Sequence, residues 1–357
     1  MTAAEPVGNT RFAVVGTGVM AATMMTAFGA AGIPVTRVVS REPERGRRFA
    51  SAFGVPNSES DLSAVLSSSE VDAVYVANAP RDHAATVIAA LEAGKAVLCE
   101  KPIAVNFAEA KRVVDVARQT GTLCMEGLWT LFLPSFAHFI ELARTRAFGE
   151  PIHLFADFGY PEDARPNLLL PANGGALLDR AGYLIALALN VLGPVERINA
   201  RMNFTDLGVD RDAFLQLSHQ GGKLSQLSAS FTSLMSNSAS LACTRGLIRL
   251  ESPLIGSEMV STKGSAVGRI LAQDPLLIGA ARKNFVSRLR EIPIFRRVKQ
   301  QLPDLTRRHF SYGSNQYLPE VKHFVALIRE KAQESDVVPL ELSLTIQQII
   351  DKARAES

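Results

Sequence analysis

The stretch that decides the fold is Arg11-Phe12-Ala13-Val14-Val15-Gly16-Thr17-Gly18-Val19-Met20-Ala21, in which an apolar run passes through a glycine turn into a helical pattern. Gly16 can adopt the backbone angles of a tight strand-to-helix turn, and Gly18 lets a diphosphate approach the free amides at the helix start. Ala21 stands at the third position of the glycine fingerprint, so the motif is weak by itself. The sequence predicts a dinucleotide cradle formed by Gly16, Thr17, Gly18, Val19 and Met20.

Length and composition predict a protein of about two domains with a large core. The chain has 357 residues, of which 47% are hydrophobic and 20% charged. Its net charge of +3 and lack of a reading motif argue against nucleic-acid binding. No apolar run approaches the roughly 18–20 residues of a membrane span. Three cysteines without C-x-x-C spacing, and a short polar start without a leader, favour the cytoplasm.

Strand and helix patterns alternate along the first third of the chain. Parallel strands linked by helices form a doubly wound sheet, with ligands beyond the carboxyl ends of the strands. We therefore expect an α/β fold whose residues 1–127 form a Rossmann dinucleotide-binding domain. The predicted strands are 12–15, 35–39, 73–76, 96–99 and 123–126, and the predicted helices are 20–31, 44–53, 62–66, 83–92 and 107–119.

The end of the second predicted strand carries Ser40-Arg41, which bears on the choice of cofactor. A site for NAD usually places a carboxylate there, whereas a site for NADP places a small residue and a cation. Ser40 can donate to the 2′-phosphate, and Arg41 can pair with it or stack on the adenine. Alternatively, Arg41 is a solvated arginine at a helix start, like Arg45 and Arg47. We expect NADP(H), with NAD(H) possible.

A second candidate site follows the fourth long strand, in Cys99-Glu100-Lys101-Pro102. A residue before proline is pushed out of the helical region, so Lys101 is held extended and can project across the strand ends toward a nicotinamide. The alternative is an exposed lysine paired with Glu100 in an ordinary strand-to-helix connection.

Together with the Gly16 turn, three further segments carry a family resemblance: Val74-Tyr75-Val76-Ala77, Cys99-Glu100-Lys101-Pro102 and Gly174-Gly175-Ala176-Leu177-Leu178-Asp179. With these motifs the chain resembles the glucose-fructose oxidoreductase, inositol dehydrogenase and rhizopine-catabolism (Gfo/Idh/MocA) family, from about residue 11 to 250 and from 315 to the end. Glu126, Trp129-Thr130, Phe132 and Pro134 are most similar to its dimeric dihydrodiol dehydrogenase branch.

The resemblance implies that residues 128–357 form an α/β domain with an open, mainly antiparallel sheet. That sheet would cover the nicotinamide and form the interface of a homo-oligomer, a dimer or tetramer. The sequence agrees, with a hairpin turn at Gly221-Gly222 and C-terminal helices at about 314–352. The predicted helices are 136–144 and 175–192, and the predicted strands are 152–158, 195–204, 213–218, 224–231 and 247–250.

The resemblance also implies a catalytic set of Lys101, Asp179 and Tyr183. The i and i+4 spacing puts Asp179 and Tyr183 on one helix face. Lys101 would stabilise charge on the oxygen of the reacting alcohol or ketone, while Tyr183 or Asp179 moves the proton. The alternatives are an Asp179 that only favours the helix dipole and a Tyr183 that only packs in the core.

Further cofactor contacts are predicted around this set, at Ala77, Asn78, His83, Glu100, Lys101 and Trp129. Asn78 replaces the threonine usual in the family, so it must make the hydrogen bonds to the cofactor or they are lost. His83 could instead be solvated at a helix start. Trp129 either stacks near the nicotinamide or packs between the domains.

Three departures from the family pattern leave the substrate open. Leu131 stands where the dihydrodiol branch has arginine, and Arg180-Ala181 replaces an apolar residue and glycine. Residues 267–308 form a basic insertion with ten Lys or Arg against three acidic residues. This amphipathic segment, broken at Pro275, Pro293 and Pro303, is a lid or oligomer contact, a solvated helical excursion, or a surface for anionic lipid or a phosphorylated substrate.

The sequence as a whole predicts an NADP(H)-dependent oxidoreductase that acts on a secondary alcohol or ketone of a sugar or cyclitol, ahead of an aromatic dihydrodiol. One alternative is a glycosidase that holds its nicotinamide cofactor and works by transient oxidation at C3. Another is a nucleotide-sensing regulator without catalysis. No metal-ligand spacing and no serine nucleophile elbow occur in the sequence, so neither a metal nor acyl transfer is expected.

Overall fold

The first sheet of the protein is parallel and carries the glycine turn at its centre. The computed structural model describes residues 10–162, 166–170, 174–264 and 306–356. Strands run in the order β3-β2-β1-β4-β5-β6, which confirms the doubly wound sheet. They are β1 Phe12–Val15, β2 Val35–Val39, β3 Asn57–Glu59, β4 Ala73–Val76, β5 Ala96–Glu100 and β6 Cys124–Gly127.

Helices cover both faces of this sheet, so its central strands are buried along their whole length. Every residue of β1 and β4 is buried, as expected for parallel strands between two helical layers. The helix after β4 begins at Pro80, three residues earlier than predicted, because proline suits the first helical turn. The helices are α1 Val19–Ala31, α2 Pro43–Phe53, α3 Leu62–Leu66, α4 Pro80–Glu92 and α5 Phe107–Thr120.

The second sheet is open and mainly antiparallel, as predicted. Its order is β14-β13-β12-β11-β7-β10-β9-β8, and only the β7–β10 pair is parallel among the described strands. Three of its strands, β11, β13 and β14, were not predicted. The strands are β7 Pro151–Gly159, β8 Val195–Phe204, β9 Asp210–His219, β10 Lys223–Ser230, β11 Ala239–Cys243, β12 Gly246–Leu250, β13 Met259–Gly264 and β14 Thr306–His309.

The basic insertion predicted at 267–308 is described only at its end. Residues 306–308 belong to β14, an exposed strand that pairs with β13 and carries Arg307 and Arg308. The rest of the insertion, including the predicted amphipathic helix and its three prolines, lies outside the described residues.

Four helices complete the described part of the second half: α6 Pro134–Arg144, α7 Gly182–Leu192, α8 Leu318–Arg329 and α9 Leu340–Glu356. The predicted helix over 175–192 is helical throughout, but it contains a π-helical turn at Leu177–Ala181 immediately before α7. Such a turn admits an extra residue and shifts the side chains that follow.

Helix α9 joins the two halves of the chain next to the site described below. Asp351 Oδ2 accepts a 2.8 Å hydrogen bond from the Phe107 amide of the first domain. Arg354 donates to the carbonyls of Val105, at 3.1 Å, and Gly174, at 3.4 Å. Because Val105 follows β5 and Gly174 precedes the π-helical turn, this one side chain connects the loops that carry the predicted catalytic residues.

Among the described helices, none has the length and apolar character needed to cross a membrane. Cys99, Cys124 and Cys243 are free thiols, and the first two are buried in the sheet. Burial raises the pKa of the Cys124 thiol to about 12, so it stays protonated and unreactive at neutral pH.

Candidate active site

The glycine turn after β1 has the geometry of a dinucleotide cradle. Gly16 has φ +112°, and a Cβ there would meet the Ala77 carbonyl and lie 2.8 Å from the Asn78 amide nitrogen. Only glycine therefore lets the turn pass the end of β4 so closely. A Cβ at Gly18 would meet nothing within 4 Å. Gly18 precedes α1, so this open space lies where the helix presents its unpaired amides.

A cavity of about 560 Å³ lies at the carboxyl ends of β1, β2 and β4. It brings together seven of the predicted cofactor contacts: Gly16, Thr17, Gly18, Ser40, Arg41, Ala77 and Asn78. Val19 and Met20 lie in the first turn of α1 and do not line this cavity; the Val19 side chain is 83% exposed. The cavity also includes residues that the sequence did not single out as cofactor contacts, namely Glu42, Arg45, Asp82 and Thr86.

The guanidinium groups of Arg41 and Arg45 lie in the part of the cavity that is next to the carboxyl end of β2. Arg41 is largely exposed, with its Nη1 3.4 Å from Asp82 Oδ2. Arg45 donates a 3.3 Å hydrogen bond to the Thr17 carbonyl, which holds it over the glycine turn. Ser40 is buried and its Oγ accepts from the Glu42 amide at 3.3 Å. This end therefore offers cations and a hydroxyl to an anionic group, with one carboxylate competing for Arg41.

Asn78 presents an unsatisfied acceptor at this site. Its Nδ2 donates to Thr86 Oγ1 at 2.8 Å, while its buried Oδ1 has no hydrogen-bond partner among the described residues. Buried polar atoms are nearly always paired, so an orphaned acceptor beside a cavity suits a ligand that donates a hydrogen bond. The open space at Gly18 and this acceptor both fit a bound dinucleotide.

The His83 side chain is buried between the Asn78 loop and the Lys-Pro element and does not face solvent. It is 1% exposed, which makes the solvated alternative wrong. Its Nδ1 lies 2.7 Å from the Pro102 carbonyl and its Nε2 lies 3.2 Å from the Asn78 carbonyl. Burial lowers the pKa of His83, so the ring favours its neutral form. His83 does not line the described cavity, and a direct cofactor contact stays a prediction.

The Lys-Pro element after β5 is fixed at the main chain. Glu126 Oε1 accepts a 2.9 Å hydrogen bond from the Ile103 amide, and His83 holds the neighbouring Pro102 carbonyl. The peptide bond between Lys101 and Pro102 is cis. Because the peptide unit that follows Pro102 is held at both its carbonyl and its amide, the loop that carries the Lys101 side chain is fixed at the end of β5.

Lys101 reaches across to the second domain. Its Nζ lies 2.6 Å from Asp179 Oδ1 and 2.7 Å from the Asp179 carbonyl oxygen. The same ammonium lies 5.2 Å from the centre of the Tyr183 ring. The three predicted catalytic residues therefore come together, and the alternative pairing of Lys101 with Glu100 is wrong.

Glu100 is directed into the core instead. It is buried, and its carboxyl group accepts a hydrogen bond from the Tyr75 hydroxyl. Burial raises the pKa of Glu100, and burial with the nearby Glu100 charge raises the pKa of Glu320 well above its ordinary value. Glu100 and Glu320 are therefore two buried acids whose protonated forms are favoured by burial. The contact of Glu100 with the cofactor stays a prediction.

Tyr183 is buried beside Trp129. The Trp129 Nε1 donates a 3.0 Å hydrogen bond to the Tyr183 hydroxyl, and its ring packs 4.7 Å from that of Tyr317. Burial, together with the negative charges of Glu100 and Asp179, raises the pKa of Tyr183 well above its ordinary value. The phenol is therefore protonated at neutral pH. Trp129 therefore packs between Tyr183 of α7 and Tyr317, and its contact with a cofactor stays a prediction.

A dinucleotide cradle on a doubly wound sheet, opposed by a lysine, an aspartate and a tyrosine from two domains, defines a nicotinamide-dependent oxidoreductase fold. Comparison with known proteins agrees. Residues 10–128 match the "Oxidoreductase family, NAD-binding Rossmann fold", and residues 136–249 match the "GFO/IDH/MocA C-terminal domain". The chain belongs to the Gfo/Idh/MocA family of oxidoreductases.

Curated relatives confirm the expected branch of that family. The trans-1,2-dihydrobenzene-1,2-diol dehydrogenase of Mus musculus is 26% identical over 350 residues, which cover 96% of each chain. The enzyme of the same name from Sus scrofa is 32% identical over 222 residues, 61% of this chain and 66% of its own. The chain is therefore similar to dihydrodiol dehydrogenases along nearly its whole length.

Solved structures share the fold over 98% of both chains. A levoglucosan dehydrogenase in complex with NADH and levoglucosan has a TM-score of 0.80 at 18% identity. KijD10, a 3-ketoreductase from Actinomadura kijaniata in complex with TDP-benzene and NADP, has a TM-score of 0.76 at 23% identity. At these identities the likeness establishes the arrangement of the two sheets.

Proposed function

We propose that this protein is an NADP(H)-dependent oxidoreductase that interconverts a secondary alcohol and a ketone on a polyhydroxylated ring. The observation that carries the proposal is the 2.6 Å contact between Lys101 Nζ and Asp179 Oδ1 beside the Tyr183 ring. A bound nicotinamide supplies the acceptor or donor of the hydride. The protein supplies the groups that bind the reacting oxygen and move its proton.

The residues that would hold the dinucleotide lie on the first domain. The amides at the start of α1 receive the diphosphate over Gly18, where the structure leaves open space. Asn78 Oδ1 accepts a hydrogen bond from the ligand. Ser40, Arg41 and Arg45 receive a 2′-phosphate at the far end of the cavity. The preference for NADP(H) rests on these two guanidinium groups and on the hydroxyl of Ser40 at the end of β2.

Lys101 binds the reacting oxygen in this proposal. Its ammonium is held by both the carboxylate and the carbonyl of Asp179, so it is oriented before the substrate arrives. A fixed cation beside the substrate oxygen stabilises the negative charge that develops as the carbonyl is reduced. Asp179 keeps that cation in place and balances its charge when no substrate is bound.

Tyr183 carries the proton. Its oxygen already accepts a hydrogen bond from Trp129, so its own O–H is available as a donor. The raised pKa of Tyr183 keeps that proton in place at neutral pH. During reduction the phenol donates to the substrate oxygen, and the Trp129 indole stabilises the phenolate that remains.

The substrate class proposed is a ring with adjacent hydroxyl groups, with sugars and cyclitols ahead of aromatic dihydrodiols. The Lys101 ammonium and the Asp179 carboxylate lie 2.6 Å apart. They suit two adjacent hydroxyl groups, because the ammonium can donate to the oxygen of one and the carboxylate can accept from the other. Support also comes from the activities of the relatives, since dihydrodiols and levoglucosan are both cyclic compounds with adjacent hydroxyl groups.

The test is a substrate panel with purified protein. A pyranose, a cyclitol and a trans-dihydrodiol are each incubated with NADP⁺ or NAD⁺, and the corresponding ketones with NADPH or NADH, while nicotinamide absorbance is followed. We expect turnover of at least one ring diol with NADP(H) preferred. Tight nucleotide binding without turnover in any arm would contradict the proposal. Cleavage of an aryl glycoside without net change in nicotinamide absorbance would identify the glycosidase alternative instead.

We also propose that copies of this chain associate through the outer face of the second sheet. Phe155 of β7 and Phe214 of β9 are 46% and 41% exposed there. The strand registers place Gln226 of β10 beside Phe155 and opposite Gln216, so these side chains form one mixed surface. Sedimentation velocity should show a dimer or tetramer that Phe214→Asp dissociates and Phe53→Asp, on the first domain, does not. A monomeric wild-type protein would contradict this interface.

A further inference from the structure

Arg180 lies immediately after the catalytic Asp179 and is the largest fully buried side chain among the described residues. Its Nη2 forms an ion pair with Glu162 Oε1, and the two side chains are only 2% and 7% exposed. Its Nη1 donates to the Tyr160 carbonyl at 3.0 Å and to the Ser230 carbonyl. A buried ion pair is weak evidence for stability, since apolar residues can replace one without loss, so its presence here calls for another explanation.

The guanidinium lies where the two parallel strands of the second sheet end. Ser230 is the last residue of β10, and Tyr160 follows the last residue of β7. The rings of Phe158 and Phe231 lie 4.8 Å and 4.4 Å from the guanidinium carbon. Charge, carbonyls and aromatic rings therefore fix Arg180 at the carboxyl edge of the β7–β10 pair.

Two contacts connect this buried group to the catalytic set. The first is the main chain, because the carbonyl of Asp179 that binds Lys101 belongs to the peptide unit preceding Arg180. The second is Phe158, whose ring also packs edge-on against Tyr183 with centroids 6.3 Å apart. One guanidinium thus borders the residues that position both Asp179 and Tyr183.

The π-helical turn explains how two adjacent side chains, those of Asp179 and Arg180, can be directed to different parts of the molecule. Residues Leu177–Ala181 form this turn, and α7 with Tyr183 follows it directly. A π turn is wider than an α turn, and such turns are frequent at functional sites. Here Asp179 is directed to Lys101 while the next residue, Arg180, is directed into the sheet.

We propose that Arg180, paired with Glu162, is a positioning residue that holds the Asp179 carbonyl on Lys101 and the Phe158 ring against Tyr183. Arg180 does not touch the reacting atoms. The expected effect of Arg180 on catalysis rests on the function proposed above. The expected effect of Arg180 on the positions of Asp179 and Phe158 does not.

A double variant separates the loss of positioning by Arg180 from the destabilisation caused by burying an uncompensated charge. Arg180→Met leaves Glu162 buried without its partner, so this single variant loses stability and activity together. Arg180→Met/Glu162→Gln removes both charges, and we expect thermal stability close to that of the wild type. If Arg180 positions the site, the kcat of the double variant is about tenfold or more below the wild-type value, while its nucleotide affinity and its KM for the nucleotide are unchanged. A kcat within twofold of wild type in the stable double variant would overturn the inference.

The matched control is Arg249→Met. Arg249 lies on β12 of the same sheet, half-buried, with Glu251 as its ion-pair partner at 3.4 Å. It is paired like Arg180 but does not contact Phe158 or the π-helical turn in the described structure. We expect this variant to keep the wild-type kcat. An equal loss in Arg249→Met would mean that any change of charge in the sheet slows the enzyme, and would also overturn the inference.

A structural readout keeps the inference testable if the proposed function fails. Crystal structures of the wild type and the double variant are compared at the contact between Lys101 Nζ and the Asp179 carbonyl. We expect this contact, 2.7 Å in the wild type, to lengthen beyond hydrogen-bond distance when Arg180 is replaced. An unchanged contact would overturn the positioning role, whatever substrate the protein uses. Absence of wild-type turnover on the panel would contradict only the proposed function.

Discussion

The indole nitrogen of Trp129 donates a 3.0 Å hydrogen bond to the hydroxyl oxygen of Tyr183. This contact occupies an acceptor site of the phenol and leaves its proton to point elsewhere. Lys101 lies 5.2 Å from the centre of the same ring. The tryptophan therefore determines the direction in which Tyr183 can donate, and it favours an assignment of Tyr183 as acid rather than as a core aromatic.

We predict that Tyr183→Phe lowers kcat about a hundredfold, because positioned proton transfer contributes about 10²–10⁴ in rate. Trp129→Phe keeps the phenol but removes its hydrogen bond, so a smaller loss of kcat is expected. Nucleotide affinity, measured by NADPH fluorescence, should be unchanged in Tyr183→Phe, whereas a loss of affinity in Trp129→Phe would reveal the predicted contact of the indole with the cofactor. Tyr312→Phe is the control, since it removes a phenolic hydroxyl from a half-buried position outside the catalytic set. Full activity in Tyr183→Phe would exclude the proton-transfer role.

We predict that Lys101→Met lowers kcat/KM for the ring substrate by about a hundredfold or more, because the developing oxyanion loses its fixed cation. The measurement is steady-state kinetics at saturating nucleotide. Lys111→Met is the matched control: Lys111 is an exposed lysine on α5 that pairs with Asp115 at 2.6 Å. Loss of nucleotide binding instead of turnover in Lys101→Met would show that this lysine holds the cofactor rather than the reacting oxygen.

We predict that Gly18→Ala folds normally but binds nucleotide at least about tenfold more weakly, equivalent to about 1.4 kcal/mol. Gly18 has φ −81°, which alanine adopts without strain, and its Cβ would occupy the space open to a diphosphate. The readout is NADPH affinity by calorimetry. Gly29→Ala, an exposed position within α1, should keep wild-type affinity and raise the unfolding free energy by about 0.5–1 kcal/mol. Unchanged affinity in Gly18→Ala would place the diphosphate elsewhere.

We predict that Arg41→Ala weakens NADPH binding about tenfold and leaves NADH binding nearly unchanged, because a charge-assisted hydrogen bond to phosphate contributes about 1.5–3 kcal/mol. Asp82→Asn should strengthen NADPH binding, since Asp82 competes for Arg41 at 3.4 Å. Arg47→Ala is the control, because Arg47 lies on α2, which begins two residues after Arg41, is paired with Glu44 and does not line the cavity. If Arg41→Ala affected both nucleotides equally, the preference for the phosphorylated form would have another origin.

We predict that stability depends on pH through Asp210, whose Oδ2 accepts a 2.6 Å hydrogen bond from the Leu177 amide. Burial raises the pKa of Asp210 from 3.8 to about 6. The folded state therefore keeps the proton to a higher pH than the unfolded chain, and the contribution of Asp210 to the unfolding free energy falls as pH rises through this window.

Asp210→Asn removes that dependence while keeping an acceptor for the Leu177 amide. Denaturation in urea at about pH 4 and about pH 7 should show the variant gaining stability over the wild type at the higher pH, by up to about 1.4 kcal/mol for each unit of pKa shift. Other titrating groups are common to both proteins and cancel in the difference. An equal difference at the two pH values would contradict the raised pKa.

Most of the first sheet could be predicted from sequence because strands buried on both faces are continuous apolar runs. β3 was missed because it consists of only Asn57-Ser58-Glu59, which has no apolar pattern and pairs at the edge of the sheet. In the second sheet, β11 and β13 are short and lie in a region of mixed polarity, so their partners rather than their own residues determine that they form strands.

The candidate catalytic set was predicted through the family resemblance and the i, i+4 spacing, but the direct ion pair between Lys101 and Asp179 was not. Lys101 and Asp179 are 78 residues apart, and Arg354 of α9 donates to a carbonyl in each of the two loops that carry them. The cavity residues Glu42 and Asp82 gave no distinctive signal, since charged residues in a first helical turn are common. Arg180 did give a signal: a cation within a mainly apolar helical run indicates a buried partner, which here is Glu162.

The outermost described strand of the second sheet, β14, is exposed along its length and carries Arg307, Arg308 and His309. Within the described residues, no strand pairs with the outer margin of β14. Such a margin is a template on which further chains can add, and positively charged residues on edge strands oppose this addition. Two copies approaching through β14 would bring like charges together. Growth into extended cross-strand aggregates is therefore discouraged at this margin, and the association proposed above uses the broad face of the sheet instead.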